Sequence, residues 1–332
     1  MKMKKKNFTL IEILIVVAIM FILIALLGPS YQNARKRAMF TRWFGYNNML
    51  SNNPSCVINF NFQDNGNELI TSSFGCESDG YNASSYNGGI NGNFEWSDGR
   101  WQNSKNALLF NGVDTYVEVL GVKAINFDGT EDFSIITWVN LNDISSINTI
   151  LSKKAGDENQ YLLTITNTLI HASVFGNNIN IPHTFETDKW VQIAMCYQTT
   201  GAVALLNNTT TILCDGDEDE DEDSDDEDED SDEEVVEEEI EDEEEVVEEE
   251  DPVISSHMTG TVYIYVNGKK ISETPINYNI LSDTNEKLII GAEKNNDGVT
   301  NVFSGKIEEL LIFKHKLSLG NINGHFEMGK ER

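Results

Sequence analysis

"GTVYIYVNGKKI" (Gly260–Ile271) reads as a β-hairpin. Tyr263 and Tyr265 alternate with Ile264 and Val266, and Asn267-Gly268 supplies a two-residue turn that accepts positive φ. The same grammar recurs on both sides. "CVINFNF" (Cys56–Phe62), "ALLFNG" (Ala107–Gly112), "TYVEVL" (Thr115–Leu120), "DFSIITWVNL" (Asp132–Leu141) and "KWVQIAMCYQ" (Lys189–Gln198) precede it. "KLIIGAE" (Lys287–Glu293) and "FSGKIEELLIFKHKL" (Phe303–Leu317) follow. These are short runs rich in β-branched and aromatic residues, separated by turn residues. No long amphipathic helix lies among them. The pattern predicts a mainly β domain, an antiparallel sandwich or barrel.

The N-terminus obeys different rules. Phe8 to Gly28 is apolar apart from Glu12 and Thr9, and Lys2, Lys4, Lys5 and Lys6 precede it. Its 21 residues make a helix of roughly 31 Å, the thickness of a bilayer core. The lysines keep the N-terminus cytoplasmic, so the β domain is exported. Read by hydropathy alone, this is a signal-anchor that tolerates one glutamate. Pro29 removes a helical hydrogen bond, so a bend is expected near Gly28-Pro29, with helix resuming through Tyr31–Tyr46. Arg35, Lys36, Arg37 and Arg42 form a basic collar beyond the apolar run.

Net charge is −32, but residues 215–251 hold 29 of the 55 acids and no Lys or Arg, leaving 26 acids against 23 bases elsewhere. The tract cannot bury enough apolar surface to offset ordering, so a solvated insertion is expected over 202–258. A weak calcium sponge and an acidic contact for a basic partner are the other readings. Nucleic acid is excluded as a partner, because the tract repels phosphates and no basic patch stands out beyond the collar. Cys56, Cys76, Cys196 and Cys214 are an even set on the exported side. Local disulfides, Cys56–Cys76 and Cys196–Cys214, are expected; buried thiols are the alternative.

Lysines followed by Phe8-Thr9-Leu10-Ile11-Glu12 and an unbroken apolar helix resemble the start of type IV pilins and pseudopilins over residues 2–50. The resemblance implies a leader of residues 1–7, cut by a prepilin peptidase between Asn7 and Phe8. It further implies methylation of Phe8, an assembly helix over 8–50 carrying Pro29, and a membrane span over 8–28. Glu12 would pair with the Phe8 ammonium of a neighbouring subunit. Other pilin subunits and the pilus or secretion assembly machinery are the implied partners. Asn7 departs from the glycine the family usually has before the cut.

The order of strands resembles the laminin-G-like branch of the concanavalin A-like lectin/glucanase superfamily, over about residues 56–198 and 260–322. This implies a two-sheet antiparallel jelly roll spanning 53–332. It also implies a Ca²⁺ held at a rim by Asn111, Asp114 and Glu308, hard oxygen ligands of the kind calcium takes. The competing reading makes Asp114 a turn residue and Glu308 a solvent-facing strand residue. Trp96 and Trp101, in the loop "NFEWSDGRWQ", are ligand-contact candidates, with packing beneath the loop as the alternative. Trp138 and Trp190 read as core. Glu308 and Glu309 are adjacent, so strand alternation puts them on opposite faces, unfit as a catalytic pair.

The expected protein is a pilin-like subunit, not an enzyme, whose jelly roll binds glycans or matrix polymers at the cell surface. A purely structural pilin or pseudopilin is the alternative, and a membrane-anchored glycan hydrolase is disfavoured.

Overall fold

The computed structural model describes residues 9–62, 66–71, 86–101, 107–120, 123–206, 209–212, 255–281, 286–295 and 297–330. Asn7, Phe8, Cys76, Cys214 and the acids of 215–251 lie outside them. The chain divides into two compact units, 1–201 with 258–332, and 202–257.

Helix α1 (Leu10–Ser51) is one 42-residue helix, continuous through Gly28-Pro29. Thr9 is its N-cap and Glu12 closes a capping box: the Thr9 N–H donates to Glu12 Oε2 at 2.8 Å. The strands follow in order: β1 (Cys56–Phe60), β2 (Glu68–Leu69), β3 (Gly88–Asn91), β4 (Glu95–Ser97), β5 (Ala107–Asn111) and β6 (Tyr116–Val119). Then come β7 (Phe133–Leu141), β8 (Asn148–Ala155), β9 (Glu158–Ile165), β10 (Leu169–Val174), β11 (Asn177–Pro182), β12 (Trp190–Leu206) and β13 (Thr209–Ile212). β14 (Ser255–Val266), β15 (Lys269–Tyr278), β16 (Leu288–Ile290), β17 (Glu293–Asn295), β18 (Gly298–Thr300), β19 (Ser304–Phe313) and helix α2 (Leu319–Gly329) complete the chain.

Sheet one runs β15-β14-β12-β7-β19-β5-β4, with β1 beside β19 and β13 beside β12. Sheet two runs β11-β10-β9-β8-β16-β6-β3-β2. The two sheets form an antiparallel jelly-roll sandwich. The hairpin that opened the sequence argument is β14–β15, with Val266 opposite Lys269 and both Asn267 and Gly268 at positive φ. In the unit 202–257, the end of β12 pairs with β13 from Val203↔Ile212 to Leu206↔Thr209.

The core lies between the sheets. Phe127, Phe133, Tyr161 and Tyr197 meet there, with Phe127 and Phe133 stacked at 4.6 Å. Each such side chain, fully buried, contributes about 1.5–3 kcal/mol. Strand alternation sends the neighbours of core residues outward. Ile136, Ala194, Cys196 and Leu311 therefore form a second cluster on the outer face of sheet one, beneath Ile322 of α2 and beside Leu50 of α1.

Candidate functional site

The last turns of α1 belong to the sandwich. Trp43, Asn47 and Ser51 recur at helical spacing and are buried, while the residues between Leu10 and Leu26 are exposed. Helix α1 thus supplies side chains to the β domain that follows it.

What receives them is an acidic bulge on β19. The register shifts between Glu308 and Leu310, and Glu309 takes φ 58°. The bulge defeats the alternation expected for adjacent residues. Glu308 and Glu309 turn to the same guanidinium, and both are fully buried. Arg100 donates from its backbone N–H to Glu308 Oε2 at 2.8 Å, and from Nη2 to Glu308 Oε1 at 3.2 Å. The same Nη2 reaches Glu309 Oε2 at 2.5 Å, and Nη1 donates to the Gly329 carbonyl at 3.0 Å. The guanidinium lies over the Trp138 ring, 4.1 Å from its centroid.

Glu309 collects donors from three further residues. Trp43 Nε1 donates at 3.0 Å, Asn47 Nδ2 at 2.9 Å, and His325 Nε2 lies at 3.0 Å. His325 Nδ1 faces Gln192 Nε2 at 2.7 Å, while Gln192 Oε1 accepts the Gly268 N–H at 3.1 Å. That last bond fixes the amide orientation, which makes Nδ1 an acceptor and Nε2–H the donor to Glu309. Burial pushes Glu308 above the ordinary carboxyl value, and Arg100 offsets this only in part. Burial acts the same way on Glu309, but His325 and Arg100 outweigh it and hold that carboxyl well below its ordinary value. The cluster ties α1, the Arg100 loop, β19, β12, the β14–β15 turn and α2 together.

Glu308 is thereby removed from the expected calcium set: it is buried against Arg100. Asn111 and Asp114 do lie together, but as a brace between turns. Asn111 Oδ1 accepts the N–H groups of Val113, Asp114 and Thr115 at 2.9, 3.0 and 3.2 Å. Asp114 Oδ1 accepts from Asn111 Nδ2 at 2.6 Å and from the Asn93 N–H at 3.1 Å, while Oδ2 accepts Asn93 Nδ2 at 2.9 Å. These oxygens are occupied by donors, and no group of three His, Cys, Asp or Glu suited to a metal exists among the described residues. The residues present do not fit a calcium ion.

The tryptophans are also packed. Trp101 is 5 % exposed and lies 6.3 Å from Trp43, centroid to centroid, leaving no face for a ligand. Trp96 rests partly buried on the core and donates Nε1–H to the Gly66 carbonyl at 3.1 Å. Trp138 is buried as expected, and Trp190 is half-buried. Cys56 is buried on β1, and Cys196 is a buried thiol that burial pushes up to about 11. Their expected partners lie outside the described residues.

Sequence reasoning missed a concave surface on the outer face of sheet two. There Thr149, Thr164, His171 and Asn180 stand in one cross-strand row over β8, β9, β10 and β11. Thr149 is buried, and a trough of about 450 Å³ is lined by Thr164, His171 and Asn180 of this row with Ile147, Leu162, Asn159, Glu293 and Asn301. The bulges of β8 and β9 obscure the row in the sequence, because they shift the alternation.

Comparison with known proteins agrees with both ends of the chain. Residues 2–28 match the prokaryotic N-terminal methylation motif, and residues 252–323 match the concanavalin A-like lectin/glucanases superfamily. The chain thus joins a type IV pilin methylation motif to a concanavalin A-like domain. That motif and the one N-terminal helix long and apolar enough to cross a membrane indicate a single-pass membrane anchor. None of the curated proteins compared with the chain matches it. Among solved structures it is similar to the receptor-binding domain of botulinum neurotoxin C/D mosaic serotype, at 13% identity and a TM-score of 0.48. That match covers 82% of this chain and 51% of the other, so the chain spans about half the length of the neurotoxin domain. It is also similar to domain 4 of AbnA, an extracellular arabinanase from Geobacillus stearothermophilus solved with arabinotriose, at 12% identity and a TM-score of 0.48. Here 82% of this chain and 98% of the other are covered.

Proposed function

We propose that the chain is a minor-pilin-like subunit whose jelly roll binds glycan polymers at the cell surface without cleaving them. One observation carries this reading. α1 and α2 cover the outer face of sheet one through buried contacts, while the outer face of sheet two keeps an open polar trough. A subunit fixed to a filament by α1 keeps that second face free. The non-catalytic part is supported by where the carboxylates lie. Paired-acid hydrolysis needs two carboxyl groups facing one cleft, and among the described residues the trough is lined by one, Glu293. A purely structural subunit is the second reading, since the rigid junction at Glu309 serves a spacer equally well.

The full-length protein in detergent micelles should be retained on insoluble polysaccharides and release no reducing ends. Retention on none of them leaves the spacer reading, and release of reducing ends identifies a hydrolase. The assembly half is tested at Glu12. Glu12→Gln keeps an acceptor for the Thr9 N–H, so α1 still forms, but the charge is gone. Filament incorporation should fail in the variant while membrane insertion persists; normal incorporation overturns the counter-charge role.

A further inference from the structure

We propose that the trough on sheet two is a subsite for uncharged sugar rings and turns away uronates and sialates. This rests on the glycan-binding reading above. A pyranose presents an apolar C–H face and a polar hydroxyl edge, and the trough offers a surface for each. Exposed Ile147 and half-buried Leu169 supply apolar area beside the Thr164–His171 row. Its volume, about 450 Å³, falls in the usual range for small-molecule sites.

Its polar groups have capacity to spare. Glu293 receives Asn301 Nδ2 at 2.8 Å and Thr149 Oγ1 at 3.4 Å, both on Oε1, so Oε2 is uncommitted among the described residues. His171 Nδ1 is bonded to Asn180 Oδ1 at 2.8 Å. With that oxygen as acceptor, Nδ1 carries the proton and Nε2 presents a lone pair. The Asn159 side chain, on the same trough, makes no hydrogen bond among the described residues. Two acceptors and a free amide suit hydroxyl groups, which both donate and accept.

The selectivity follows from charge. Among the described residues no Lys or Arg lines the trough, and Glu293 is its one carboxylate. A sugar carboxylate would lose hydration without gaining a cation, and would meet a like charge. A neutral ring meets neither cost.

The test uses the full chain in detergent micelles, with xylan, β-1,4-galactan and dextran as neutral probes and polygalacturonate and heparin as anionic ones. The acidic tract also repels anionic polymers, but it is identical in parent and variants, so differences between them read the trough. Asn159→Ala and Glu293→Gln should each lower affinity for the retained neutral probe roughly tenfold, the effect of one good hydrogen bond. Neither should shift the melting temperature, since the Asn159 side chain makes no hydrogen bond among the described residues and the Glu293→Gln amide keeps an oxygen for the Asn301 side chain. Glu293→Lys should raise polygalacturonate binding at least tenfold. If the parent is retained and no variant changes retention, glycan binding stands and the trough assignment is overturned. If the parent binds polygalacturonate as well as it binds the neutral probes, the selectivity is overturned. If no polysaccharide is retained, the glycan reading fails and the subsite falls with it.

Discussion

The two sheets turn unlike faces outward. Sheet one buries two glutamates, an arginine and a histidine beneath helices, with each carboxylate paired. Sheet two leaves the imidazole and amide end of its cross-strand row, His171 and Asn180, open to water. The difference is one of desolvation. A charge taken from water costs several kcal/mol and persists only where its partners are fixed in place. A neutral polar group at an open surface costs little, and a ligand can replace its water. The first face suits a permanent joint and the second a reversible contact.

The sharpest way to break this contrast is to remove Arg100. Arg100→Ala leaves Glu308 and Glu309 buried without their shared cation, a loss of about 3–5 kcal/mol for one broken buried pair. Thermal melting of the full chain in micelles should show a large drop. A loss below about 1 kcal/mol, the level of surface pairs, would mean water already reaches the joint and the two faces differ less than the burial indicates.

Steric fit gives the next largest effect. A Cβ on Gly329 would collide with Arg100 Nη1 and fall 3.0 Å from the Trp138 ring. Gly329→Ala should therefore displace the guanidinium or the end of α2, costing about 1–3 kcal/mol as overpacking does. A parent-like melting curve would show that α2 gives way freely. The same substitution at Gly156, where a Cβ meets nothing within 4 Å, tests positive φ without crowding.

The sandwich was legible because its signals are local. Alternation and an Asn-Gly turn locate β14–β15 directly. A capping box is also written in Thr9-Leu10-Ile11-Glu12, although the counter-charge role expected of Glu12 hides it in a reading that starts from the membrane. The joint was not legible. Trp43, Asn47, Arg100, Glu309 and His325 are scattered across the chain, and only the folded topology brings them together. The bulge at Glu309 inverted the one inference drawn about the glutamate pair. Asn111 and Asp114 stand three residues apart in one turn, yet their bonding partners, such as Asn93, lie in another turn. Trp101 looked like a loop aromatic because the helix that covers it is far away in sequence.

Acid distinguishes the two faces more gently. Glu309 has an ordinary value of 4.5 and is held well below it in the fold. Between those values the unfolded chain binds a proton that the folded chain refuses, so stability falls as pH drops through that window. Glu308 is raised, so its contribution moves the other way, gaining as pH falls. Glu309→Gln removes the first of these contributions. Melting measured from pH 6 down to pH 3 should fall less steeply in the variant than in the parent. Parallel curves would show that the joint does not hold Glu309 ionised.

The smallest effect expected concerns calcium. Asp114 is held below its ordinary value, chiefly by the Asn111 side chain and then by the Asn93 N–H, which stabilise its charged form without a metal. A Ca²⁺ ion entering here would have to displace the donors on both oxygens, and Glu308 cannot reach it. The melting shift produced by millimolar calcium, with magnesium at equal ionic strength as reference, should therefore be the same in the parent and in Asp114→Ala. A calcium-specific shift that is present in the parent and vanishes in Asp114→Ala would make the turn a metal site. It would also show that the donors seen on Asp114 yield to a cation.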